Sequence, residues 1–248
     1  MCYNGKNNYK AGKNMFELRS LVIGFILMLK KFTLINITIH EEPNNDDYIN
    51  GIMLLPLIGF AIGFFACLIS AFKIFYDDFF VSILVFTYYC IITKTVNLID
   101  TYRTLNYIIK PKNGSEQISG IIGIVIICLL YFSLIRLVHV TALIIMVVTG
   151  YSGLIILSTV FKRNKDGTSI MKYCGKYHKI SAFIISFAFA ALINYKLVIP
   201  LALTYMISGF VVSTLDKKIK IIPNSIEGFI IEVTQLLFLI ITYIFKIV

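Results

Sequence analysis

A single carboxylate, Glu232, interrupts the long apolar stretches of this 248-residue chain. A charge in such a stretch is costly in lipid, about 2.5–3.5 kcal/mol on insertion scales. It must face protein or water, and both a functional role and a structural hydrogen bond fit it. Acidic residues also cluster at Glu41, Glu42, Asp46 and Asp47. Four close carboxylates can hold a hard divalent cation, although a solvated loop is the plainer reading. Asp100 and Glu116 stand alone in polar stretches, with Arg103 between them. Thiol chemistry is disfavoured. Cys2, Cys67, Cys90, Cys128 and Cys174 form no C-x-x-C pair, so neither a zinc site nor a disulfide framework is expected. His40, His139 and His178 are far apart and make no convincing ligand set.

The elements that must position these groups are membrane helices. Apolar runs cover 51–72, 79–93, 118–135, 137–161, 180–193, 197–213 and 228–245. None contains Lys, Arg or Asp. Runs of about 17–25 apolar residues match a ~30 Å hydrocarbon core, and in lipid a helix satisfies its own backbone. Hydrophobic residues make up 58% and charged residues 15%. That is too few charges to solvate seven buried helices as a soluble domain. The expected fold is all-α: a polytopic helical bundle of about seven spans. The runs 79–93 and 180–193 are the shortest and the readiest to tilt or re-enter.

The formal net charge of +10 reads as topology rather than nucleic-acid binding. Basic residues crowd three connections, around Arg103, around Lys172 and around Lys218. Two runs separate each connection from the next, which puts all three on one side. The positive-inside rule makes that side cytoplasmic. The expected location is therefore the plasma membrane of a prokaryote, embedded in lipid, with the active face toward the cytoplasm. Residues 1–14 read as a polar tail or an upstream start, and 15–248 as one membrane domain. Residues 21–29 are too short to span and read as an interfacial helix. Residues 32–50 read as a loop broken by Pro43. No Rossmann or P-loop glycine pattern is present.

Four segments, taken together, resemble one family. They are Phe32-Thr-Leu-Ile-Asn-Ile-Thr-Ile with the later Leu55-Pro-Leu-Ile-Gly-Phe-Ala-Ile-Gly; residues 93–106; Glu116-Gln-Ile-Ser-Gly-Ile-Ile-Gly; and Gly228-Phe-Ile-Ile-Glu-Val-Thr-Gln-Leu-Leu-Phe. Their order is similar to cobalamin synthase, adenosylcobinamide-GDP ribazoletransferase. The resemblance implies transfer of adenosylcobinamide phosphate from its GDP-activated form to α-ribazole or its 5'-phosphate, with release of GMP. It also implies magnesium, held by carboxylates, with cations on the phosphates. Corrinoid and nucleotide substrates would be its partners, alongside a second copy or other corrinoid-assembly enzymes. Nucleic acid would not.

The family's Asp-rich loop, L-D-G-x-x-D-x-x-D-G, is altered here. Its three Asp positions fall on Ile99, Arg103 and Asn106, with Asp100 one residue late, and a preceding His falls on Asn97. In the later glycine-containing segment Glu116, Gly120 and Gly123 remain, and the Arg becomes Ile118. What the resemblance implies is a reduced site. Asp100, Glu116 and Glu232 would be the catalytic and metal-binding carboxylates. Asn97, Asn106, Arg103, Gly120 and Gly123 would line the cofactor and phosphate region. The alternative is an inactive relative serving as a membrane scaffold or assembly partner. A small transporter fits less well, because the apolar runs carry almost no polar residues to line a path.

This topology has a direct test. Single cysteines in a Cys-free background, probed with an impermeant maleimide on intact cells, are expected to leave Lys172→Cys unlabelled. Labelling from outside would overturn the orientation.

Overall fold

The computed structural model describes residues 18–40, 42–109, 116–158, 160, 170–218, 223 and 225–247. The polar tail 1–14, Glu41 and the side chain of Glu116 lie outside them. Among the described residues all regular structure is helical. The helices are α1 (Leu18–Phe32), α2 (Asn45–Met53), α3 (Leu55–Ser70), α4 (Asp78–Ile92), α5 (Val96–Ile108), α6 (Glu116–Leu137), α7 (Ala142–Leu157), α8 (Lys176–Asn194), α9 (Val198–Lys218) and α10 (Ile226–Ile244). Short 3-10 turns cover Ala71–Ile74, Ile170–Lys172 and Tyr195–Leu197.

Every expected apolar run contains a helix, and the expected all-α membrane bundle is observed. By length and composition, four stretches can cross a membrane: Leu55–Ile74, Ile118–Leu137, Lys176–Lys217 and Ile226–Ile244. A fifth is added if the bent pair α4 and α5 counts as one. Three features relate these stretches to the seven apolar runs. Helix α7 has 16 residues, about 24 Å at 1.5 Å each, short of the hydrocarbon thickness. Helix α4 stops at a corner where α5 turns away by 85°. Finally, the stretch Lys176–Lys217 joins the runs 180–193 and 197–213 and is not straight. The rings of Phe183 and Phe187 lie 6.4 and 6.3 Å from that of Tyr205. This contact folds α8 back against α9 at the turn Tyr195–Leu197.

Helices α7 and α10 form the core. From Ala142 to Ile155 every residue of α7 is buried, and α10 is buried on almost every side. A helix apolar all round belongs in the middle of a bundle. Glycines bring the backbones together, since lipid offers no hydrophobic drive for helix association and close packing must supply it. Gly59 and Gly63 form a G-x-x-x-G face on α3. A Cβ at Gly59 would stand 2.9 Å from the Val147 carbonyl, and one at Gly63 2.7 Å from the Ile144 Cα. On its other side α7 offers Gly150 and Gly153 to Gln235 and Thr234 of α10. Pro56 sits in the first turn of α3, where a missing N–H costs nothing, so it starts that helix rather than kinking it.

Two sequence readings of loops are corrected. Residues 32–50 contain α2, because Asn44 caps it. The Asn44 Oδ1 accepts from the Asp47 N–H at 2.8 Å, and Asp47 Oδ2 accepts from the Asn44 N–H at 3.0 Å. This reciprocal box commits Asp47 to a cap. Helix α2 lies against α1, with Gly24 and Gly51 in backbone contact. The second correction is the polar stretch 93–106, which is largely the helix α5. Its Asn97, Leu98, Thr101 and Thr104 recur at helical spacing and are buried.

Contacts between distant segments define two ends of the bundle. At one end Lys73 Nζ donates to the Ile135 carbonyl at 2.7 Å, and the His139 N–H to the Ile247 carbonyl at 3.4 Å. At the other end Lys31 meets Glu227, Thr104 meets Ser225, and His178 meets the Ile49 carbonyl. The described residues that flank the three basic connections therefore share that second end.

The α4–α5 corner is strained. Lys94 and Thr95 have φ of 51° and 53°, a left-handed conformation that costs a non-glycine residue about 1–2 kcal/mol. The Thr95 N–H bonds the Cys90 carbonyl at 2.9 Å and the Lys94 N–H bonds that of Ile91 at 3.0 Å. This is a Schellman cap with lysine at the position usually held by glycine. Lys94→Gly is expected to raise thermal stability in detergent by about 0.5–1 kcal/mol, after subtracting glycine's extra unfolded-state freedom. A fall in melting temperature would show that the lysine side chain outweighs the strain.

Candidate functional site

The site is built around the start of α10. Ser225, just before the helix, shares a 2.9 Å hydrogen bond with Thr104 of α5. Glu227 is buried and receives Lys31 Nζ from α1 at 2.9 Å. It also accepts the Ile170 N–H from the turn before α8. One carboxylate thus ties together α10, α1 and the basic connection that precedes α8. Gly228 then lets α5 touch α10: a Cβ there would lie 2.6 Å from Asp100 Cβ and 2.9 Å from the Asn97 carbonyl.

Below this contact the polar groups continue inward. Asn97 is buried, and its Nδ2 lies 3.5 Å from the Tyr89 hydroxyl. Tyr89 in turn donates to Glu232 Oε1 at 2.7 Å. Glu232 is fully buried, one turn deeper than Gly228, and among the described residues its Oε2 has no hydrogen-bond partner. The Tyr131 hydroxyl donates to Gln235 Oε1 at 2.9 Å. The Tyr151 hydroxyl and Gln235 Nε2 are buried in the same layer. Tyrosines from α4, α6 and α7 thus converge on one acidic helix inside the apolar bundle.

The expected site residues separate into two levels. Asp100 and Arg103 lie on α5 at the basic end, with Arg103 Nη1 3.7 Å from Asp100 Oδ1 and the two side chains 66% and 20% exposed. Glu232 and Asn97 lie in the sealed layer below. Asn106 is positioned by α6, accepting the Gly120 N–H through Oδ1 at 2.8 Å. Gly120 and Gly123 face Asn106 and Leu105, where a Cβ would lie 2.6 and 2.5 Å away. Their observed role is the close packing of α5 on α6. Helix α6 begins at Glu116, which places that residue's backbone at the basic end.

Among the described residues, no three His, Cys, Asp or Glu side chains gather as a metal site. Magnesium often keeps several waters and takes one or two carboxylates plus substrate phosphates. The donors here fit it only in that substrate-assisted form, with Asp100 as the described carboxylate that reaches the open end. The sequence reading missed Glu227 and Lys31, which pair across 196 positions. It also missed Tyr89 and Tyr131. Their one available signal was tyrosine placed in apolar runs, where a hydroxyl needs a partner.

Comparison with known proteins gives one relevant likeness. The chain is similar to an adenosylcobinamide-GDP ribazoletransferase of Alkaliphilus oremlandii (strain OhILAs), with 20% identity over 235 residues. The match covers 89% of this chain and 97% of that protein. No family model matches, and no solved structure matches. The chain is a helical membrane protein with a distant likeness to cobalamin synthase along nearly its whole length.

The Tyr89–Glu232 bond can be tested as a structural element. Glu232→Leu leaves a buried hydroxyl unsatisfied and is expected to destabilise by about 1–3 kcal/mol. Glu232→Gln retains an acceptor and is expected to cost less. Denaturant unfolding in detergent compares them, and equal stabilities would remove the bond from the folding argument.

Proposed function

We propose that this protein is a membrane transferase of cobalamin nucleotide-loop assembly, joining α-ribazole or its 5'-phosphate to adenosylcobinamide-GDP. The observation that carries the reading is the near end-to-end likeness to a protein of that name. The geometry is compatible with it, because two of the segments carrying the family resemblance, 93–106 and that beginning at Gly228, meet at the start of α10. A ribose hydroxyl oxygen of the acceptor bonds to the corrinoid-linked phosphorus. The bond from that phosphorus to the bridging oxygen breaks, GMP departs with that oxygen, and the hydroxyl proton passes to solvent.

In this reading the basic end faces the cytoplasm, and the substrate pyrophosphate lies against Arg103. Asp100 and Glu116 would hold magnesium together with the substrate phosphates. Magnesium, when bound, supplies charge neutralisation at the phosphate oxygens. Asp100 also orients Arg103 through their ion pair. Glu227 fixes Lys31 and the connection before α8, so that the cationic rim is held in shape. Glu232 acts as a positioning residue from beneath, through Tyr89 and Asn97.

The second reading, an inactive scaffold, draws on the replacement of the family's Asp positions by Ile99, Arg103 and Asn106. One assay separates the two. Purified protein in liposomes, given adenosylcobinamide-GDP, α-ribazole and magnesium, is expected to form the cobalamin product, read by mass spectrometry. Asp100→Asn and Glu116→Gln are each expected to lower turnover at least ~100-fold with insertion intact, as loss of a preorganised charge at a phosphoryl-transfer site would. No product from well-folded protein at any magnesium concentration would leave the scaffold reading.

A further inference from the structure

A groove of ≈ 380 Å³ runs between α5 and α6. Leu98, Ile99 and Tyr102 form one wall, and Ile121, Ile124 and Val125 the other, with Thr95 at one end. It opens beside the outward face of α6, where Ile122, Ile126 and Leu129 are exposed. On a membrane-spanning helix such a face meets acyl chains. The groove exists because α5 leaves the end of α4 at 85° instead of continuing across the bilayer.

The end marked by Thr95 is cationic. Lys94 immediately precedes it and is exposed, and Lys94 Nζ reaches the Lys30 carbonyl at 3.5 Å. Lys30 is also exposed, so two lysines stand at the same corner. Lys94 holds this place in a strained left-handed backbone where glycine would be easier. Retention of strain at one point directs attention to what its side chain does. Apolar walls and two exposed lysines at one end match one chemistry: an acyl chain attached to an anionic headgroup.

We propose that the α5–α6 groove is a binding site for one anionic phospholipid, with an acyl chain between the helices and the phosphate at Lys94 and Lys30. Zwitterionic lipid satisfies the groove but gains little from the lysines. The site leaves Arg103, farther along α5, to the polar end of the candidate reaction site. It does not rest on the transferase reading. A bound lipid here would brace α5, the helix that carries Asp100 and Asn97, against α6.

The test is native mass spectrometry of the full chain released from nanodiscs containing equal phosphatidylglycerol and phosphatidylcholine. Wild type is expected to retain one phosphatidylglycerol, in preference to phosphatidylcholine by on the order of 10-fold. The double variant Lys30→Gln/Lys94→Gln is expected to lose that preference. Ile124→Trp, which fills the groove, is expected to lose the retained lipid of either headgroup, with helicity checked by circular dichroism. The lysine variants sit at the exposed rim and decide the matter if the tryptophan variant misfolds. Equal retention of both lipids by wild type would mean annular lipid only and would overturn the proposal. So would an undiminished preference in the lysine double variant.

Discussion

The structure depends on burying α10, an apolar helix that carries a carboxylate where water does not reach. Hydrocarbon alone cannot receive Glu232, so the neighbouring helices bring polar atoms to it. Tyr89 does this directly, and Tyr131 and Asn97 extend the polar layer around it. Each hydroxyl must arrive at hydrogen-bond distance, which fixes the rotation and depth of α4 and α6 relative to α10. The glycines of α7 then let α10 approach closely enough for those bonds to form. Packing and polarity impose the same geometry, which is the consistency a unique bundle requires.

The same helix organises the polar end. Its first turn places Ser225, Glu227 and Gly228 in succession, and each engages a different partner. Glu227 joins α1 to the turn before α8, while Gly228 admits α5 to backbone distance. Lys31 and the described start of the turn before α8 are thereby held at the same end as Asp100 of α5. The altered Asp-rich stretch is not a slack loop hung over this end. It is a helix whose polar, buried face is committed to packing, leaving Asp100 and Arg103 at the rim. Phosphate chemistry at such a place would draw on fixed charges brought from several segments, with few acidic ligands of the protein's own.

The sharp corner at Lys94 and Thr95 links these two levels. A straight continuation of α4 would carry Asn97 and Asp100 away from α10. The left-handed cap turns the chain across the bundle instead, and the same turn opens the lipid-side groove against α6. A strained backbone, a polar contact and an apolar cleft are consequences of one change of direction.

The sequence by itself determined the class of protein, because apolar runs free of charge can be read one residue at a time and lipid leaves the backbone few choices. It also determined that three basic connections share a side, since alternation of spans is a matter of counting. The family resemblance was legible in short segments around Gly59, Gly120 and Gly228. Only the tertiary structure decided that residues 93–106 are a helix, because its period of buried Asn97, Thr101 and Thr104 is polar and meaningless without α10 beside it. Tertiary structure also decided how the apolar runs connect, through a corner between α4 and α5 and a hairpin of α8 and α9 that hydropathy does not register. The pairing of Lys31 with Glu227 and of Tyr89 with Glu232 could not be read in one dimension. Those bonds join residues 196 and 143 positions apart, and what selects the partner is the register of packed helices, a property of the folded bundle alone.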